Sequence, residues 1–173
     1  MNRNVTPEEF DEFKLRVINA IMKDIDKYGT KNSTFEFQPT LYLKPFNNKY
    51  KCAPLPGQLF QDDRLKDLAV NLTKEMIKLS ESPMMSFTTE GYQAKVSKDI
   101  DINSLPRPSQ LPEDQREEVV FLCFECINLN QYCVSFIKEY NKDTQKWKLT
   151  PSDFGRGEER ASAEGRFSNF YSK

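Results

Sequence analysis

Apolar side chains recur at helical spacing near the start of the chain. The segment opens with TPEE, in which Thr6 can cap a helix, Pro7 fits its first turn and Glu9 can complete a capping box. Gly29 can end it. The apolar residues that follow the cap are Phe10, Phe13, Val17, Ile21, Ile25 and Tyr28. This spacing predicts a helix whose apolar face packs on a sheet.

A second helical pattern begins at Asp62 or Asp63, either of which can cap the helix, and ends at Ser82-Pro83. Its apolar stripe consists of Leu65, Leu68, Ala69, Leu72, Met76 and Leu79. We expect this stripe to be buried in the core of the domain.

Alternating patterns predict the strands. Residues 33–46 alternate from Phe35 to Leu43, and Asn47-Asn48 can turn the chain into KYKCAPLP, which predicts a hairpin. Pro39 and Pro45 each lack a backbone donor and therefore favour an edge strand. Residues 86–96 predict another strand or hairpin, in which Glu90-Gly91 is a turn or a bulge.

Residues 97–118 contain three prolines and many charges, and they predict a long surface loop. Residues 119–140 and the segment QKWKL then predict three consecutive antiparallel strands. The order of elements predicts an α+β domain with a mostly antiparallel sheet of about five to six strands and two amphipathic helices packed on one face. We assign residues 1–150 to this domain and residues 151–173 to a flexible tail.

Three of the four cysteines lie in the most apolar stretch, at Cys123, Cys126 and Cys133. They could form a zinc knuckle, a redox motif or a set of buried small side chains. In a strand Cys123 and Cys126 face opposite sides, which disfavours a shared metal ion. If residues 128–131 form the turn, Cys126 lies directly opposite Cys133. We therefore predict a cross-strand thiol pair, Cys126 with Cys133, that binds no metal but can be oxidised.

Composition excludes common catalytic designs. The chain has 173 residues, no histidine, and 25 basic against 26 acidic side chains for a net charge of −1. Histidine-based catalysis is therefore impossible, and no phosphate-binding glycine motif is present. We expect a protein that is not an enzyme and holds no cofactor or metal. Glu125 is a weak catalytic candidate, because a buried carboxyl can have a raised pKa. A pairing with Lys138, or with another basic side chain at the rim of the sheet, is favoured over that role.

The tail combines Arg156, Arg160 and Arg166 with aromatic residues at its end. It could contact single-stranded nucleic acid by charge and stacking, but Glu158, Glu159 and Glu164 nearly cancel the charge. We favour an aromatic end that either folds back on the domain or docks on a partner.

These observations predict a non-enzymatic protein-binding or adaptor module that acts through a helix-free sheet face and the tail. The candidate contact residues are Tyr132, Phe136, Trp147, Arg166, Phe167, Phe170 and Tyr171. We expect the partner to be another protein, with a second copy of the chain as one candidate. Truncation after Pro151 is expected to leave the fold intact and to weaken binding.

Two further functions fit the same sequence: a single-stranded nucleic-acid accessory protein and an enzyme with carboxylate or cysteine chemistry. We expect a cytoplasmic protein that binds no membrane, because the sequence shows neither a secretory leader nor an apolar span of about 18 residues.

Overall fold

The computed structural model describes residues 4–29, 35–46, 49–95, 105–152 and 170–171. They form an α+β fold with one six-stranded sheet, in which every neighbouring pair of strands is antiparallel. The strand order is β2-β1-β3-β4-β5-β6. The elements are α1 Pro7–Tyr28, β1 Thr40–Lys44, β2 Lys51–Pro54, α2 Asp63–Ser80, β3 Met84–Ala94, β4 Arg116–Cys126, β5 Tyr132–Asn141 and β6 Lys146–Pro151. The predicted class and strand number are confirmed.

Local signals set both ends of α1 as predicted. The Thr6 hydroxyl accepts a hydrogen bond from the Glu9 amide at 3.2 Å, and the Glu9 carboxylate accepts one from the Thr6 amide at 3.0 Å. At the other end Gly29 donates to the Ile25 carbonyl, and a Cβ on Gly29 would lie 2.6 Å from that oxygen. The predicted apolar face is buried except for Tyr28, which is exposed.

The predicted ends of α2 are also confirmed, but its buried face is not the predicted one. Asp62 caps the helix by accepting from the Leu65 amide at 2.9 Å. The buried residues are Ala69, Thr73 and Ile77, about a quarter of a turn away from the centre of the predicted stripe. Thr73 can be buried because its hydroxyl donates to the Ala69 carbonyl at 2.9 Å. Three leucines of the stripe consequently face outward: Leu68, Leu72 and Leu79.

The sheet separates two apolar cores. The first core packs under α1 and consists of Val5, Phe10, Phe13, Val17, Ile21, Ile25, Met84, Val120, Leu122, Phe124, Cys126, Phe136 and Leu149. The second core packs under α2 and consists of Leu41, Leu43, Leu55, Ile77, Met85 and Phe87. Met84 and Met85 are consecutive in β3 and therefore point to opposite faces. The helix positions thus differ from the expected arrangement on one face: α1 covers one face and α2 the other.

Two strands differ in position or extent from the prediction. β1 lies between β2 and β3, and Pro39 and Pro45 flank it, so neither proline interrupts a ladder. The predicted turn at Asn47-Asn48 lies outside the described residues. β3 is one continuous strand that pairs with β4 from Met84 opposite Cys126 to Ala94 opposite Arg116.

Part of the segment before β4 packs against the rest of the domain. Of the predicted surface loop, residues 105–118 are described. The part before β4 includes two short 3-10 turns, Pro108–Gln110 and Glu113–Gln115. Leu111 between these turns is buried, and Lys95 donates to the Gln115 carbonyl at 2.8 Å. β4 begins at Arg116, inside the range that we predicted as loop.

The connection between β4 and β5 is longer than predicted, which changes the strand register. Cys133 lies opposite Cys123, whereas Cys126 lies opposite Met84 in β3. The predicted pairing of Cys126 with Cys133 is therefore wrong.

Long-range hydrogen bonds explain this difference. Ile127 donates to the Pro83 carbonyl at 3.0 Å, so it continues toward β3 rather than toward β5. Asn128 then bonds Val5 twice: its amide nitrogen donates to the Val5 carbonyl at 2.9 Å, and its oxygen accepts from the Val5 amide at 3.0 Å. Residues 127–131 are consequently outside the β4–β5 ladder.

We predict that N128A lowers the free energy of unfolding by about 1–2 kcal/mol, because it removes both side-chain bonds to Val5. Urea denaturation measures this loss. N130A, in the same loop and exposed, is the matched control and should change stability by less than about 0.5 kcal/mol. Equal losses in the two variants would show that the tie to Val5 contributes nothing.

Candidate functional site

Four polar side chains form a cluster on the sheet face opposite α1. We call Cys123, Gln131, Glu125 and Cys133 the thiol cluster. The Sγ atoms of Cys123 and Cys133 are 3.3 Å apart. The amide nitrogen of Gln131 donates both to Cys123 Sγ at 3.1 Å and to Glu125 Oε1 at 3.0 Å. One side chain therefore bridges a thiol and a carboxylate.

Strand geometry brings these residues together. Cys123 and Glu125 are two apart in β4 and share a face, and Cys133 in β5 lies directly opposite Cys123. Glu125 is only 4% exposed. Its second oxygen accepts from the Phe170 amide at 2.7 Å, so both carboxylate oxygens have a partner.

The expected ion pair between Glu125 and Lys138 is wrong. Lys138 lies opposite Leu149, a first-core residue, and so faces α1, whereas Glu125 faces the other way. Among the residues that the structure describes, no lysine or arginine forms an ion pair with Glu125. Hydrogen-bond donors, not a cation, surround this carboxylate.

The environment raises the pKa of the Cys123 thiol far above its ordinary value. The largest cause is the hydrogen bond with Cys133, followed by burial and by the charges of Cys133 and Glu125. The hydrogen bond from Gln131 lowers the pKa, but this effect is smaller. The thiol is therefore protonated at neutral pH. Burial also raises the pKa of Cys126, which lies on the opposite face.

The aromatic end of the tail folds back on the domain. This was one of the two alternatives that we favoured from the sequence. Phe170 and Tyr171 pack against the second core, and the Tyr171 hydroxyl donates to the Ser82 carbonyl at 2.7 Å. Ser152 is buried, and its amide donates to the Ser135 carbonyl at 3.0 Å. Because these contacts would be lost, we now expect truncation after Pro151 to destabilise the domain. Arg166 and Phe167 lie outside the described residues.

A second polar cluster lies on the α1 side of the sheet. Lys138 Nζ is 2.7 Å from the Glu90 carboxylate and 3.8 Å from that of Glu118, and it donates to the Phe35 carbonyl. It also lies 4.5 Å from the centre of the Trp147 ring. Burial raises the pKa of Glu90, and the bonds from Lys138 and the Phe37 amide act against that rise. The ammonium thus connects four strands and the segment before β1.

The sheet residues that we proposed as partner contacts lie in the interior. Phe136 is 6% exposed and belongs to the first core, and Tyr132 and Trp147 are half-buried against it. They occupy the face that α1 covers. These three residues do not form an open, helix-free surface.

A small pocket with a polar rim lies beside the start of α1. Its volume is about 300 Å³, and its lining includes Glu9, Lys44 and Tyr50. Glu9 is engaged in the capping box of α1, and Lys44 donates to the Pro45 carbonyl. Within the described ranges, no three Cys, Asp or Glu side chains come together as a metal site.

The outward leucines of α2 are the surface that the sequence interpretation missed. We call Leu68, Leu72 and Leu79 the leucine flank; their exposed fractions are 54%, 43% and 81%. All three leucines belong to the predicted apolar stripe of α2. Helical periodicity does not show which part of such a broad stripe packs against the sheet.

Comparison with known proteins returned no match. No family model, curated protein or solved structure matched the chain. None of the described helices has the length and apolar character that crossing a membrane requires.

We predict that K138M lowers the free energy of unfolding by about 2 kcal/mol, because it leaves the half-buried Glu90 carboxylate without its cation. Urea denaturation at neutral pH is the measurement. K142M removes an exposed lysine from the β5–β6 turn and should have an effect below about 0.5 kcal/mol. A loss in K138M no larger than in K142M would contradict a supporting role for the buried ammonium.

Proposed function

We propose that this protein is a non-enzymatic binding module that self-associates through the leucine flank of α2. The observation that carries the proposal is the exposure of Leu68, Leu72 and Leu79 along one line of an otherwise amphipathic helix. At about 100° per residue the three leucines lie within about 40° around the helix axis. They form a stripe rather than scattered apolar residues.

Neighbouring side chains widen this stripe. Leu65 and Met76 are half-buried and lie between the leucine flank and the buried face of α2. By contrast, Leu15 on α1 is 63% exposed, but the predicted apolar face of α1 is buried in the first core apart from Tyr28. Apolar surface that is continuous and unburied favours contact with another protein surface.

The apolar residues of α2 favour a second copy of the chain as the partner. In an antiparallel pair of α2 helices centred on Leu72, Leu68 lies opposite Met76 of the second copy, and Leu65 lies opposite Leu79 of the second copy. The twofold axis repeats both pairs. The apolar stripe is therefore self-complementary in a single register.

The centre of this pairing is also apolar. Leu72 packs near its own copy at the axis. Antiparallel helices also bring the oppositely charged helix ends together. The interface thus has an apolar centre, as protein–protein contacts usually do.

The polar clusters support binding rather than catalysis. In the thiol cluster both oxygens of Glu125 accept hydrogen bonds within the fold, and Lys138 is surrounded by carboxylates, a carbonyl and an aromatic ring. Neither cluster offers an uncommitted acid or base next to a substrate-sized pocket. The nucleic-acid hypothesis has no support from the described residues, since Phe170 and Tyr171 pack against the second core.

We predict that L72K raises the Kd of the dimer by at least about 100-fold, because it places two ammonium groups together at the twofold axis. Sedimentation velocity across a range of concentrations measures the change. L15K, which adds the same charge to an exposed leucine of α1, is the matched control and should dimerise as the unchanged protein does. A protein that remains monomeric at about 100 μM without substitution would reject the second copy as partner.

A further inference from the structure

We propose that Cys123 and Cys133 are an oxidant-reactive thiol pair, which hydrogen peroxide converts to an intramolecular disulfide between β4 and β5. The inference is independent of the α2 surface. It rests on the direct pairing of the two residues across the ladder and on the 3.3 Å separation of their Sγ atoms.

The backbone already has a geometry that accepts this bond. Directly opposed residues of antiparallel strands have Cα atoms about 4.5–5.5 Å apart, inside the range of about 4.4–6.8 Å that disulfides occupy. The sulfurs need to approach by only about 1.3 Å to reach the bonded distance. Side-chain rotation can supply this movement without a change of register.

The other two cysteines are placed where they cannot compete. Cys126 is close in sequence, but it points to the α1 face and its thiol donates to Asn128. Cys52 is exposed on β2, which β1 and β3 separate from β4. The fold therefore selects one pair among the four cysteines.

Exposure and hydrogen bonding assign the two roles. Cys123 is partly exposed and Cys133 is buried, so the peroxide reaches Cys123 first. Gln131 donates to Cys123 Sγ, which stabilises the thiolate as it forms. Cys133 is already in contact and is the residue that resolves the oxidised sulfur.

The reaction balances in two steps. Cys123 first loses its thiol proton, which its raised pKa makes infrequent at neutral pH and more frequent at higher pH. The thiolate then attacks peroxide: an S–O bond forms, the O–O bond breaks, and the released hydroxide combines with that proton to give water. Cys133 then attacks the sulfenic sulfur: the S–S bond forms, the S–O bond breaks, and a second water leaves with the Cys133 proton. Two thiols are oxidised and one peroxide is reduced to two waters.

The test uses the reduced full-length protein, treated with hydrogen peroxide and then with N-ethylmaleimide under denaturing conditions. Cleavage after Glu125 separates Cys123 from the other two cysteines of this region. Mass spectrometry should find the peptide that ends at Glu125 linked to the peptide that contains Cys133, with Cys126 carrying the maleimide. This linkage should exceed every other by at least about tenfold, because the two sulfurs are held in contact.

Matched variants decide the outcome. C126S changes the nearest other thiol and should keep the linkage, whereas C133S should abolish it and leave a sulfenic acid on Cys123 that dimedone traps. Protein oxidised in urea is the unfolded reference and should give mixed linkages. The proposal is overturned if C126S loses the linkage, if Cys52 or Cys126 is the main partner of Cys123, or if peroxide oxidises the exposed Cys52 and leaves both Cys123 and Cys133 alkylated.

Discussion

The alternation of side chains along β3 and β4 is the constraint on which the rest of the structure depends. Both are central strands, and both faces of each are buried where α1 and α2 cover the sheet. Where the helices cover these strands, alternate residues such as Met84, Leu122 and Phe124 face the first core. The residues between them, such as Met85, Cys123 and Glu125, face the second core or form the thiol cluster. A shift of one residue in register would exchange these environments and would place the Glu125 carboxylate under α1.

This constraint also explains how one sheet holds two buried charged groups. Glu125 and Lys138 are on opposite faces, so neither can neutralise the other, and each has its own set of partners. Lys138 is paired with carboxylates, whereas Glu125 is held by two neutral N–H donors. Buried charges need such partners, because transfer out of water without them is costly. A sheet that is covered on both faces therefore needs both polar clusters to satisfy its buried charged groups.

Elements fixed by nearby residues could be predicted from the sequence, and elements fixed by distant contacts could not. The capping box of α1 and the Asp62 cap of α2 act over three residues, and both helices begin where expected. The register of the β4–β5 hairpin depends on Asn128, whose partner Val5 is 123 positions away. The rotation of α2 is set by how Ala69, Thr73 and Ile77 fit the sheet. Neither the hairpin register nor the rotation of α2 can therefore be predicted from neighbouring residues.

The contacts of α1 have a consequence for the order in which the chain can fold. The capping box and the helix itself need only adjacent residues, but the core beneath the helix includes Leu149, and Trp147 donates to the Gly29 carbonyl at 3.0 Å. During synthesis the apolar face of α1 is therefore fully covered only after β6 has left the ribosome. Until then part of this face stays exposed on the nascent chain, and exposed apolar surface of this kind promotes aggregation.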